Sequence, residues 1–162
     1  MQDFGSLALR RLLEVHGGAV RETHARLGDA TALVEAARIV DVMRFLRDDA
    51  DCAFDMLTDL TAVDYLGEQQ RFEVVYHLYS VAKNRRLRIK ARVPESLCAI
   101  DSLCELWPSA NWMEREVWDL YGIRFKGHPD LRRILLYDEF QGHPLRKDYP
   151  KERRQPLVGP RN

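Results

Sequence analysis

The chain has 162 residues, 46% of them hydrophobic, enough for one buried core with little room for a second. Its 25 Lys and Arg balance 25 Asp and Glu, so no overall field draws it onto nucleic acid or an anionic membrane. No apolar run reaches the ~18 to 20 residues of a membrane span, and the opening MQDFGSLALRRLLEVHGG resembles neither a signal peptide nor an Arg-rich transit peptide, which predicts a cytoplasmic protein, bacterial or already processed.

From Ser6 to His16, Leu9, Leu12 and Leu13 recur at helical spacing, and Gly17 and Gly18 end the helix. Short strands are expected over 19–24 and 31–35, across a Gly28–Asp29 turn. Ile39, Val42, Met43 and Leu46 then form an i, i+3, i+4, i+7 stripe opposite Arg38, Asp41, Arg44 and Arg47, the mark of an amphipathic helix. Phe72–Val81 is rich in aromatic and β-branched residues and leads through Lys83–Arg85 into a strictly alternating strand. In that strand Leu87, Ile89, Ala91 and Val93 face one way and Arg86, Arg88, Lys90 and Arg92 the other. The basic face is a candidate for RNA, but it lacks the interleaved aromatics that stack bases, so a solvated or protein-contacting surface is expected.

Pro94 ends the strand. Ser102 and Glu105 have the spacing of a capping box for a short helix before Pro108, and Asn111 with Glu114 repeats it for a second helix that Gly122 terminates. The expected fold is α+β, a two-layer domain with one mixed sheet covered by helices. It occupies residues 1–122. Residues 123–162, with five prolines and no periodicity, are expected to form a long extended arm. Phe125, Leu131, Ile134, Leu135, Leu136, Tyr137, Phe140 and Tyr149 are too many apolar groups for a disordered tail. A structureless stretch of that length is uncommon inside one domain, which favours an arm laid across another subunit.

The charged residues of the second helix, Glu114, Arg115, Glu116 and Asp119, suit an interface better than a reaction centre, with Arg115 and Asp119 an i, i+4 pair. GHPDLRR (127–133) and GHPLRK (142–147) echo each other as two similar corners. His128 and His143 lack a second ligand at metal-site spacing, and Cys52, Cys98 and Cys104 fit neither zinc nor iron-sulfur patterns. Arg132, Arg133, Arg146 and Lys147 are expected to donate to a partner's carboxylates or carbonyls. GxGxxG, P-loop, GxSxG and HExxH patterns are all absent from the sequence.

The segment EREVWDLYGIRFKGHPDLRRIL (114–135) closely resembles the signature of the thirty-kilodalton subunit (C) of NADH:quinone oxidoreductase, the respiratory complex I. The likeness continues through GHPLRKDYP (142–150) and, more loosely, back through LTDLTAVDYL (57–66) and the hairpin; the first fifty residues match only in element order. Trp118 stands where a smaller aromatic is more familiar, and the tail from Lys151 is short and basic.

The resemblance implies a peripheral-arm subunit without catalytic residues, metal or cofactor of its own, FMN and iron-sulfur clusters lying in partner subunits. The partners implied are the quinone-site subunit (D) and the neighbouring iron-sulfur subunits (B, I), on the cytoplasmic side of the cell inner membrane, in an assembly that reduces quinone and translocates protons. Glu114, Arg115, Glu116, Asp119, His128, Arg132, Arg133, His143, Arg146 and Lys147 are the expected partner-binding residues. The alternatives are an equivalent subunit of a membrane-bound hydrogenase or other quinone-reducing dehydrogenase, and a free-standing acid/base enzyme using Glu114 and Glu116 with His128.

Overall fold

The alternating segment in the middle of the sequence is the centre of the structure, a computed structural model that describes residues 6–156. The ends of the two expected segments, 1–5 and 157–162, lie outside the described residues. Five strands form one mixed sheet: β1 (Val20–His24), β2 (Thr31–Val34), β3 (Met56–Asp64), β4 (Phe72–Ser80) and β5 (Arg85–Val93), in the order β1-β2-β5-β4-β3. All neighbours are antiparallel except β2 and β5. The parallel pair needs a long crossover, and it contains the helix α2 (Ile39–Asp48) and the β3–β4 hairpin.

One face of the sheet is the core. Leu78, Tyr76, Val74 and Phe72 of β4 pair across with Leu87, Ile89, Ala91 and Val93 of β5, and all eight are buried. Helix α1 (Leu7–His16) adds Leu9 and Leu12, and α2 adds the whole predicted stripe, Ile39, Val42, Met43 and Leu46. The two-layer α+β expectation therefore holds.

The opposite face carries the predicted basic row, but three of its four members are paired with acids within the chain, and Arg86 lies 5.6 Å from the centre of the Tyr79 ring. Glu73, only 3% exposed, accepts from Lys90 Nζ at 2.8 Å and Arg92 Nε at 3.2 Å. Arg92 also pairs with Glu68, and Arg88 with Asp29 at 3.1 Å. The row is a ladder of cross-strand ion pairs, the arrangement that cross-strand packing favours, and it leaves little free charge for a polyanion.

A second, smaller unit positions the signature residues. Strands β6 (Ala99–Asp101) and β7 (Arg124–Lys126) pair in parallel, with helix α3 (Ala110–Tyr121) as their crossover. β7 begins two residues past Gly122, where the sequence suggested an irregular arm. Two helix-start expectations fail here. Residues 102–107 form turns and no helix, and α3 starts at Ala110 after Ser109, without a side-chain cap. Ser109 Oγ is drawn off to the carbonyl of Leu57 at 3.1 Å, and Glu114 is drawn into the interior. The Gly122 terminator is as expected: φ is +78°, and its N–H donates to Trp118 O at 2.8 Å.

Replacing Glu73 with Ala is expected to lower stability by about 1.5 kcal/mol in urea unfolding at neutral pH. Hydrogen bonds to charged groups are worth ~1.5–3 kcal/mol, and Lys90 and Arg92 recover part of that by hydration. An unchanged midpoint would show that the ladder is ornamental.

Candidate functional site

Past Lys126 the described chain contains no helix or strand. It is held across the end of α3 by groups that the sequence places in the signature. A helix leaves its last four carbonyls without intrahelical partners, and here each is satisfied. Gly122 N–H takes Trp118 O, and His143 Nδ1 donates to Asp119 O at 2.9 Å. Leu145 N–H takes Leu120 O at 3.0 Å, and Arg146 Nε donates to Tyr121 O at 2.6 Å. The last three donors come from the GHPLRK corner.

Asp119 is fully buried. Its Oδ2 accepts from the N–H groups of Ile134, Leu135 and Leu136 at 3.1, 2.9 and 2.9 Å. Its Oδ1 accepts from Arg133 Nη1 at 2.6 Å. Burial pushes the carboxyl pKa up, but the backbone donors and Arg133 outweigh it and hold the group below its ordinary value. Arg133 is shared three ways, with Nη2 on the carbonyls of Phe140 and Gly142 at 2.8 and 3.2 Å. Its guanidinium also stands 5.7 Å from the ring centres of both Trp118 and Phe140. The larger aromatic at 118 thus serves as a platform for Arg133 and an edge for the His143 ring, 6.3 Å away.

A second clamp was invisible to the motif reading. Arg71, 2% exposed, makes a bidentate pair with Asp64 at 2.8 and 2.9 Å and another with Asp148 of the arm at 2.7 and 3.0 Å. Glu95 adds a contact at 2.7 Å, and Lys147 N–H caps Asp64 Oδ2 at 2.8 Å. Hydrogen bonding to Arg71 holds both Asp64 and Asp148 below the usual carboxylate range. Arg71 and Arg146 each lie 5.0 Å from the centre of the Phe72 ring. The one sequence signal was Asp64 itself, an acid in the buried phase of Leu60, Ala62, Asp64, which requires a partner.

Glu114 faces the other way. It is fully buried, accepts from Leu103 N–H at 2.7 Å and bonds Ser102 Oγ at 2.6 Å. Burial raises its pKa above the ordinary carboxylate value. Cys104 Sγ is 3.4 Å away, and the ligand atoms of Cys104, Glu114 and His128 lie within 4.8 Å of one another. Hydrogen bonds inside the chain engage this trio. His128 Nε2–H donates to Asn111 O at 2.9 Å while Nδ1 accepts from Asp130 N–H at 3.0 Å. Burial pushes the Cys104 thiol up to about 11, well away from a thiolate.

Of the ten residues expected to bind partners, most turn inward. Glu114, Asp119, Arg133, His143 and Arg146 join chain segments, and Arg115 donates to the carbonyls of Arg132 and Arg133 at 3.1 and 2.9 Å. Glu116, Arg132 and Lys147 are exposed, and Arg132 pairs with Asp130 at 2.8 Å. Glu116 lines a surface groove that neither Glu114 nor His128 reaches, so these three do not form the acid/base trio that the sequence allowed. Among the described residues no helix is long and apolar enough to cross a membrane.

Residues 32–155 match the family model described as the 30 kDa subunit of the respiratory-chain NADH dehydrogenase. The corresponding NADH-quinone oxidoreductase subunit of Geotalea uraniireducens is 47% identical over 154 residues, 94% of this chain and 93% of that protein. The protein of the same name from Trichlorobacter lovleyi is 50% identical over 155 residues, covering 94% of each. Among solved structures, a trypsin-resistant fragment of Nqo5 superposes with a TM-score of 0.68 at 32% identity, over 77% of this chain and all of that one. A chain of an archaeal membrane-bound sulfane sulfur reductase superposes with a TM-score of 0.78 at 26% identity, over 91% and 86%.

The two buried acids of α3 carry opposite pH signatures. Asp119 has a depressed pKa in the fold, so its stabilisation is present above the unfolded value of ~3.9 and is lost as pH falls through the folded one. Asp119→Asn is expected to cost about 3 kcal/mol at pH 7, to cost less in acid, and to expose the amides of 134–136 to hydrogen exchange. Glu114 has a raised pKa, so its share is fully present below ~4.3 and is lost as pH rises through the folded value. Glu114→Gln should therefore gain on the wild type as pH increases. Urea unfolding at pH 2.5, pH 4 and pH 7 measures both, the lowest interval reporting Asp119 and the upper one Glu114, and parallel pH trends in the two variants would contradict the assignment.

Gly122→Ala tests the arm independently. A Cβ there would lie 2.6 Å from His143 Cδ2 and 2.9 Å from Arg146 Nη2, at a φ of +78°. A loss of about 1–3 kcal/mol is expected, with faster exchange at 143–146; wild-type stability would mean that the corner is not seated on the helix end.

Proposed function

The chain belongs to the family of the 30 kDa subunit of respiratory-chain NADH dehydrogenase, and on that premise we propose that its own part is to shape the enzyme and not to react within it. It is a peripheral-arm subunit of an NADH-quinone oxidoreductase and serves that oxidoreductase activity as part of the complex. The NADH-linked names of relatives at 47–50% identity favour this over a hydrogenase subunit. The observation that carries the structural role is the use made of Asp119: four donors converge on one buried carboxylate to hold an irregular segment in place.

In this reading the chain holds no flavin or iron-sulfur cluster. Electrons pass from NADH through FMN and clusters in neighbouring subunits to quinone, and the assembly couples that transfer to proton translocation on the cytoplasmic side of the inner membrane. The quinone-site subunit is the principal neighbour, with two iron-sulfur subunits beside it. The inward-turned signature residues set the shape of the docking surface, and Glu116, Arg132 and Lys147 supply its outward charges.

A tagged chain recovered from gently solubilised native membranes is expected to bring with it a flavin and iron-sulfur assembly active in NADH-dependent quinone reduction. Recovery of the chain alone would overturn the subunit reading for this protein. Within that experiment Arg132→Glu should leave the melting temperature of the isolated chain unchanged, since an exposed pair contributes only ~0–1 kcal/mol. Its incorporation should fall roughly tenfold, equivalent to about 1.4 kcal/mol. Full incorporation would remove Arg132 from the interface.

A further inference from the structure

Two of the most exposed large apolar side chains in the described structure stand across one groove. Trp112, in the first turn of α3, is 71% exposed, and Leu135, on the segment that crosses the helix, is 61% exposed. With Pro108, Met113, Ile134 and Glu116 they line a cleft of about 590 Å³. Glu116 is the one charge in that lining and has no ion-pair partner among the described residues.

The wall bearing Leu135 is held rigidly. Its own N–H, and those of Ile134 and Leu136, are fixed by the buried Asp119 carboxylate, which Arg133 in turn secures. A buried carboxylate and a mostly buried guanidinium thus hold a leucine out toward water. Such an arrangement has no use on a surface that stays wet. It does preorganise an apolar patch for a partner, because a wall already ordered loses less conformational entropy on association.

Resting on the reading of this chain as a subunit of a larger assembly, we propose that the groove seats an apolar segment of a neighbouring subunit that carries a Lys or Arg opposite Glu116. Trp at the centre of an apolar patch is the residue type that anchors protein interfaces most often. A small molecule fits less well, since such ligands are ~70–90% enclosed by their sites, and here the two largest lining groups project outward. A second copy fits less well because a two-fold contact on this patch brings two Glu116 carboxylates into one apolar interface. The unpaired charge calls for a cation from outside the chain.

Hydroxyl-radical footprinting of the tagged complex and of the isolated chain tests this. Trp112 is expected to be oxidised at least tenfold more slowly in the complex than in the free chain. Trp112→Ala combined with Leu135→Ala should cut incorporation about tenfold without lowering the melting temperature of the free chain, and Glu116→Lys should do likewise. Equal oxidation of Trp112 in an active, co-purified complex and in the free chain would overturn the groove while leaving the subunit reading intact. Protection already present in the free chain, with sedimentation as a dimer, would assign the groove to a second copy and overturn it too. Failure of any oxidoreductase subunit to co-purify would instead sink the reading on which it rests.

Discussion

The end of α3 is where the rest of this molecule is decided. Four carbonyls emerge from it without intrahelical partners, and within that same last turn the Asp119 side chain adds a buried negative charge at the pole of the helix that is already negative. Both need donors, and cationic ones above all. Arg133 reaches Asp119, Arg146 reaches the Tyr121 carbonyl, and two GHP corners bring them there. The irregular arm is therefore ordered by the hydrogen-bonding deficit of a helix terminus, with its own backbone amides at 134–136 and 145 supplying much of the remedy.

The second clamp makes that order specific. Arg71 sits among Asp64, Asp148 and Glu95, and Arg146 stands 3.8 Å from Glu95. Buried ion pairs of this kind add little over a well-packed apolar contact, yet each strongly penalises any arrangement that leaves one member alone. A misplaced arm would strand Arg71 beside unsatisfied carboxylates in one place and Asp119 in another. Two such penalties, one at the helix end and one at the rim of the sheet, leave a single seating for residues 133–148.

How much of this the sequence disclosed depends on how local the determinant was. The stripe Ile39, Val42, Met43, Leu46 and the alternation of β5 are periodic, and all of their apolar members are buried as the periods require. Gly122 was legible because its left-handed geometry is a property of one residue. The Ser102–Glu105 and Asn111–Glu114 boxes misled because a capping box is a four-residue pattern that tertiary demand overrides: Ser102 and Glu114 do bond, but to each other across twelve positions. Arg71 gave no local sign at all, lying in a polar turn like many others, and its partners are 7, 24 and 77 residues away. The resemblance located the important segment. It did not reveal that most of the charged residues there face inward.

That inward orientation gives the charges of this segment a structural use inside the chain. Opposite pKa shifts in two nearby carboxyls are what a general acid and a general base require, and Glu114 and Asp119 show such shifts, one raised and one lowered. A reaction also needs both groups to face one substrate. Five positions apart on α3, Glu114 turns to the Ser102–Leu103 turn and Asp119 to the crossing arm, and neither is exposed to solvent. Burial raises both, and the donors gathered around Asp119 reverse it there, so the opposite shifts reflect separate surroundings with no ligand in common. Among the residues that remain outward along this stretch are Trp112, Glu116, Arg132 and Leu135, a combination of anchoring aromatic, apolar neighbour and flanking charge suited to recognising another protein surface.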